Sequence, residues 1–77
     1  MNVAELRERL LREGFRRDVF SLDGTCPAFE GLVLNNDSGR WRIDHCERGM
    51  RREVALLDSE EEACERMYEL LVAHFRW

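Results

Sequence analysis

Trp41-Arg42-Ile43-Asp44-His45-Cys46-Glu47-Arg48-Gly49 decides how this chain folds. Successive side chains of a strand point to opposite faces, so Trp41, Ile43 and His45 share one side and Arg42, Asp44 and Cys46 the other. The first side is core, with His45 at the strand's end as a half-buried, hydrogen-bonded residue. Gly49 permits a tight reversal after Glu47-Arg48. Working back, Asn35-Asn36-Asp37-Ser38-Gly39 is turn-forming in nearly every residue, which sets Arg40 to Glu47 antiparallel to the short strand Leu32-Val33-Leu34. Working forward, Arg51 to Leu57 supplies a further strand with Val54 and Leu56 turned inward.

Helices flank this meander. Val3, Leu6, Leu10 and Leu11 recur at helical spacing over residues 2–13, with Asn2 as cap, Gly14 as terminator, and Glu5–Arg9 and Glu8–Arg12 as i,i+4 pairs. Val19-Phe20-Ser21-Leu22 is a strand closed by the turn Asp23-Gly24, and Thr25 to Gly31 is a loop in which Pro27 stops any ladder. Ser59 with Glu62 forms the capping box of a last helix that runs to about Phe75, leaving Arg76-Trp77 to fray. Ala63, Met67, Leu70, Leu71 and His74 line its core stripe. The expected fold is α+β over residues 1–77: an N-terminal helix, a four-stranded antiparallel meander and a C-terminal helix. Both helices pack on one sheet face and the other face stays wet.

Composition bounds the function. A chain of 77 residues is a single domain that buries about 60–65% of its unfolded surface, which suits an interaction surface better than a deep cleft. Lysine is absent, and twelve arginines face five aspartates and eleven glutamates for a net charge of −4. That balance disfavours general duplex binding. The rival nucleic-acid reading rests on Arg40, Arg42, Arg48, Arg51 and Arg52 around Trp41, but Asp37, Asp44, Glu47 and Glu53 cancel most of that charge. Residues 58–70 hold Asp58, Glu60, Glu61, Glu62, Glu65 and Glu69 against Arg66 alone, which reads either as an acidic face fit to attract a cationic protein or, equally, as glutamates complementing a helix dipole.

Catalytic chemistry is not evident. Cys46 and His45 point to opposite strand faces and cannot form a dyad, and the five glycines are spaced singly as turn residues. Cys26, Cys46 and Cys64 are odd in number and without framework spacing, which reads as small buried thiols in a reduced, cytosolic setting. A zinc site drawing on them with His45 and His74 lacks a Cys-x-x-Cys or His-x(3–5)-His pair to seed it, so no metal or cofactor is expected. No signal-peptide core and no apolar run near the ~20 residues of a membrane span occurs, which reads as a soluble protein.

Three elements in order carry a family resemblance: Gly39-x-Trp41-x-Ile43, then Glu47-Arg48-Gly49, then Ser59-Glu60-Glu61-Glu62-Ala63-Cys64. With Phe20-Ser21-Leu22-x-Gly24 upstream, residues 20–64 resemble small immunity proteins of bacterial polymorphic toxin and contact-dependent growth-inhibition systems. The pattern departs at Phe20, where tyrosine is usual, at His45-Cys46, where an aromatic or aliphatic pair is, and at Leu57, where an aromatic is. The resemblance implies a cytosolic inhibitor that binds a cognate toxin domain, often a nuclease, and blocks it by occlusion. It implies partner contacts at Glu47 and Arg48 in the turn, with Asp44 and Glu53 beside them, and a second patch at Glu60 and Glu61. The alternative is a small homodimeric interaction or regulatory module whose Glu-Arg-Gly turn is structural.

Overall fold

Helix α1 spans Val3–Arg12, and both its ends are set by residues the sequence places there. Asn2 Oδ1 accepts the Glu5 amide at 2.8 Å while Glu5 Oε1 accepts the Asn2 amide at 2.9 Å, a reciprocal capping box. At the other end Gly14 adopts φ +90°. That conformation lets the Phe15 amide reach Leu10 O at 3.0 Å and the Gly14 amide reach Leu11 O at 3.2 Å, satisfying carbonyls that the helix leaves open. The structure, a computed structural model, describes residues 1–27 and 30–75. Two expectations therefore lie outside the described residues: fraying at Arg76-Trp77 and the part of the loop at Ala28-Phe29.

A 3-10 turn at Arg17–Val19 leads into β1 (Phe20–Ser21). Strands β2 (Glu30–Asp37), β3 (Arg40–Glu47) and β4 (Met50–Leu57) follow, and the sheet order is β1-β2-β3-β4. The meander β2-β3-β4 is antiparallel, as expected, but β1 runs parallel to β2. Asp23-Gly24 does not close a hairpin. Instead the chain returns across the sheet before entering β2.

Both hairpins turn in two residues. Ser38 and Gly39 have φ +54° and +88°, Arg48 and Gly49 have +53° and +82°, and pairing resumes at Asp37↔Arg40 and Glu47↔Met50. Two consecutive positive φ angles give the turn whose twist matches that of the strands. The turn-rich Asn35-Asn36-Asp37 is therefore strand, held in register up to the last pair.

Helix α2 (Glu60–Phe75) lies on the sheet with α1 beside it. The core joins Leu6 and Leu10 of α1, Leu32 and Leu34 of β2, Ile43 of β3, and Ala63, Cys64, Met67 and Leu71 of α2. Trp41, Ala55, Leu57 and Phe75 are partly buried against it. At the N-terminus of α2 the Ser59 Oγ accepts the Glu62 amide at 3.2 Å and bonds Glu62 Oε1 at 3.1 Å. Arg9 does not pair with Glu5, which is committed to its cap. It bonds Glu13 at 3.0 Å and sits 4.1 Å from the centre of the Tyr68 ring, whose hydroxyl reaches Glu13 at 2.6 Å, so one cluster ties α1 to α2.

Two expectations about facing need correction. Val54 and Leu56 are exposed, and Ala55 and Leu57 turn inward instead. The cause is a bulge: Ile43 pairs with Ala55 and Asp44 with Glu53, so Val54 is an extra residue that shifts the alternation. The sheet face away from the helices is wet only in part: Val33 is 0% and Cys46 1% exposed, while Glu53 and Leu56 on the same face are open to solvent. Residues 24–27 pass over part of it. Cys26 is disulfide-bonded to Cys46 with Cα atoms 6.1 Å apart, and Arg51 Nη2 donates to Gly24 O at 3.2 Å. A Cβ on Gly31 would lie 2.3 Å from Val19 O and 3.0 Å from the Pro27 ring, so only glycine lets the crossover seat this closely.

The disulfide overturns the reading of three unpaired thiols. Only Cys64 is free, and burial pushes its thiol up to about 11, so it stays protonated and unreactive. The paired cysteines are 20 residues apart in sequence, too far for local spacing to reveal. Replacing Cys26 with serine should lower oxidised-state stability by about 3 kcal/mol through lost loop-closure constraint. Urea unfolding with and without reductant checks this: the gap between variant and parent should close when both are reduced.

Candidate functional site

The six residues expected to contact a partner do not form one patch. Asp44 is 3% exposed, on the sheet face under the crossover. Arg42 Nε stands 3.1 and 3.2 Å from its two oxygens, Asn35 Nδ2 donates to Oδ2 at 3.1 Å, and Arg51 Nη2 lies 3.3 Å from Oδ2. Arg51 also donates to Asn35 Oδ1 at 2.8 Å. A carboxylate buried this deeply and bonded by three neighbours organises the strand face, so the expectation of a surface contact at Asp44 is corrected. The same network occupies Arg42 and Arg51, two of the arginines on which a nucleic-acid reading depended.

Glu60 is likewise taken. Its Oε2 accepts the Val3 amide at 2.8 Å, which satisfies an open N–H of α1 from a residue of α2. Arg48 is exposed but occupies the first turn position at φ +53°, so its conformation serves the hairpin. Glu53 is exposed opposite Asp44, and Glu47 is exposed at the end of β3 opposite Glu30. Glu61 is exposed on α2. The start of α2 follows the end of β4, whereas its far end brings Phe75 within 6.4 Å of the His45 ring, near the β3–β4 turn. Glu60 and Glu61 therefore sit at one end of the sheet and Glu47 and Arg48 at the other.

What the structure adds on the acidic helix is a line. Glu61, Glu65 and Glu69 are all exposed at i, i+4 and i+8, about 6 Å apart along the axis, and none of their side chains has an ion pair or hydrogen bond among the described residues. Asp58 is exposed just ahead of the helix. Glutamates in the first turn complement the helix dipole, but that effect fades within one turn and explains neither Glu65 nor Glu69. Like charges at this spacing destabilise a helix by about 0.2–0.5 kcal/mol per pair. The spacing of Glu65 and Glu69 is visible in the sequence once α2 is phased from its Ser59 cap.

A second surface is the outer edge of β4. It is the terminal strand of the sheet, and Met50 (76% exposed), Val54 and Leu56 (59%) stand on it with Arg51, Arg52 and Glu53. The third feature is His45, whose Nε2 lies 2.9 Å from Glu30 Oε2, in keeping with its expected half-buried, hydrogen-bonded place. Register arithmetic from the Ser38-Gly39 turn places Glu30 opposite Glu47, a pairing hidden while residues 35–39 read as one long turn.

No helix among the described residues is long and apolar enough to cross a membrane. Compared with known proteins, the chain matches no family model, no curated protein and no solved structure.

Asp44→Ala should destabilise the fold by about 2 kcal/mol, since it removes charge-assisted hydrogen bonds from a buried position while the exposed parts of both arginines can turn to water. Chemical denaturation checks the size of the loss. A variant as stable as the parent would mean that the crossover face is held by the disulfide alone.

Proposed function

We propose that this domain is an immunity protein, which binds a cognate bacterial toxin domain, such as a nuclease, and occludes it without chemistry. One observation supports this above the rest: the exposed, unpaired line Glu61, Glu65 and Glu69 on α2. Glu61 complements the helix dipole, but Glu65 and Glu69 lie beyond its reach, and like charges at this spacing disfavour the helix. A row of carboxylates on a rigid helix is suited to enter a cationic cleft that otherwise holds a phosphate backbone. The sequence resemblance over residues 20–64 points to the same class of protein. Asp58 extends the line, and Glu47, Arg48 and Glu53 remain available at the other end and far face of the sheet.

The proposed setting is the cytosol of the toxin-producing cell. This rests on the resemblance. A reducing cytosol opens disulfides, so there Cys26 and Cys46 would stand as two thiols in contact beneath the crossover.

A homodimeric module is the second reading, and the exposed Met50 and Leu56 on the open β4 edge favour it. The bulge at Val54 and the charges of Arg51, Arg52 and Glu53 work against it, because kinks and charges are how edge strands avoid pairing.

Reversing the line with Glu61→Lys, Glu65→Lys and Glu69→Lys together should weaken binding to a cognate toxin domain by at least about tenfold. Most of that loss should appear as slower, less salt-sensitive association, with the thermal melt preserved. Unchanged affinity would remove the helix from the mechanism. For the dimer, Leu56→Arg should leave the sedimentation coefficient where it is; a shift from dimer to monomer would favour the second reading.

A further inference from the structure

Glu30 opens β2, Glu47 closes β3, and the register sets them directly opposite each other. Carboxylates so placed repel, and like charges facing across a strand pair cost stability. No arginine forms an ion pair with either among the described residues; Arg52 lines the adjacent cavity but reaches neither. Between them stands His45, with Nε2 2.9 Å from Glu30 Oε2. The ligand atoms of Glu30, His45 and Glu47 all lie within 4.8 Å of one another.

We propose that Glu30, His45 and Glu47 bind a divalent transition-metal ion, with zinc the best fit. Two donors held about 2.0–2.1 Å from one ion stand about 3 Å apart, the separation that Glu30 and His45 already have. The exposed Glu47 side chain, at a strand end, has only to rotate inward to supply the third donor. His45 is the anchor: its side chain is 22% exposed and its ring packs near that of Phe75, so its Nε2 is held toward the carboxylates. One imidazole with two carboxylates is a donor set for zinc or manganese rather than magnesium, which prefers oxygen alone. The ion would neutralise the facing carboxylates. Three protein ligands leave a coordination position for water on the side of a cavity of about 320 Å³, lined by His45, His74, Leu70 and Phe75 among others. The site is at the sheet end opposite the start of α2, so it stands apart from the acidic line and does not depend on its role.

The test is a zinc chloride titration of the disulfide-intact protein, free of any affinity tag, followed by calorimetry and by the histidine ring resonances in NMR. Saturable one-to-one binding is expected, with the His45 ring signals shifting. Glu30→Gln and Glu47→Gln should each weaken it at least about tenfold, His45→Gln should abolish it, and His74→Gln should retain it. Glu47 is exposed, so its variant folds whatever its role and keeps the test decisive. Three outcomes would overturn the proposal: no saturable binding up to millimolar zinc, parental affinity in both glutamine variants, or a response to magnesium equal to that to zinc.

Discussion

The far face of the sheet depends on one buried carboxylate. Asp44 draws Arg42, Arg51 and Asn35 onto itself, and the Arg51 guanidinium passes the constraint onward by donating to Gly24 O. Through that bond the residues after β1 are held over Val33 and Cys46, and the Cys26–Cys46 link fixes the other end of the same crossover. With the crossover in place, β1 has only one side of β2 to join and only a parallel direction in which to join it. A chain this small thus covers part of its second sheet face with its own backbone, while helices cover the first.

The helices and hairpins were legible in the sequence because local chemistry specifies them. Asn2, Gly14 and Ser59 mark helix ends by hydrogen bonds made within a few residues, and Gly39 and Gly49 mark turns by the backbone angles they accept. Features decided by distant residues stayed hidden. Val54 and Leu56 alternate on paper as an inward pair, but the bulge opposite Ile43 and Asp44 is a property of two strands together. Nor could spacing tell that Cys26 meets Cys46, or that Asp23-Gly24 leads to a crossover and not a hairpin.

The same division runs through the candidate site. An acidic run was plain from composition, but not which acids the fold consumes. Glu60 closes the end of α1, Glu62 bonds Ser59, Glu13 holds Arg9 and Tyr68, and Asp44 is buried. Among the acids left are Glu65 and Glu69, exposed on one helix line with Glu61, and Glu30 with Glu47, which face each other across a strand pair. Charge count alone treated all of them alike; hydrogen bonding separates them.

The bond from the Val3 amide to Glu60 joins residues 57 positions apart. While the chain is being synthesised, the first turn of α1 is therefore without its distal acceptor until residue 60 has emerged from the ribosome. Residues 30–57, by contrast, can zip through two tight reversals from neighbours already present. The amino-terminal turn, made before the sheet, thus completes its hydrogen bonding only with a residue made after it.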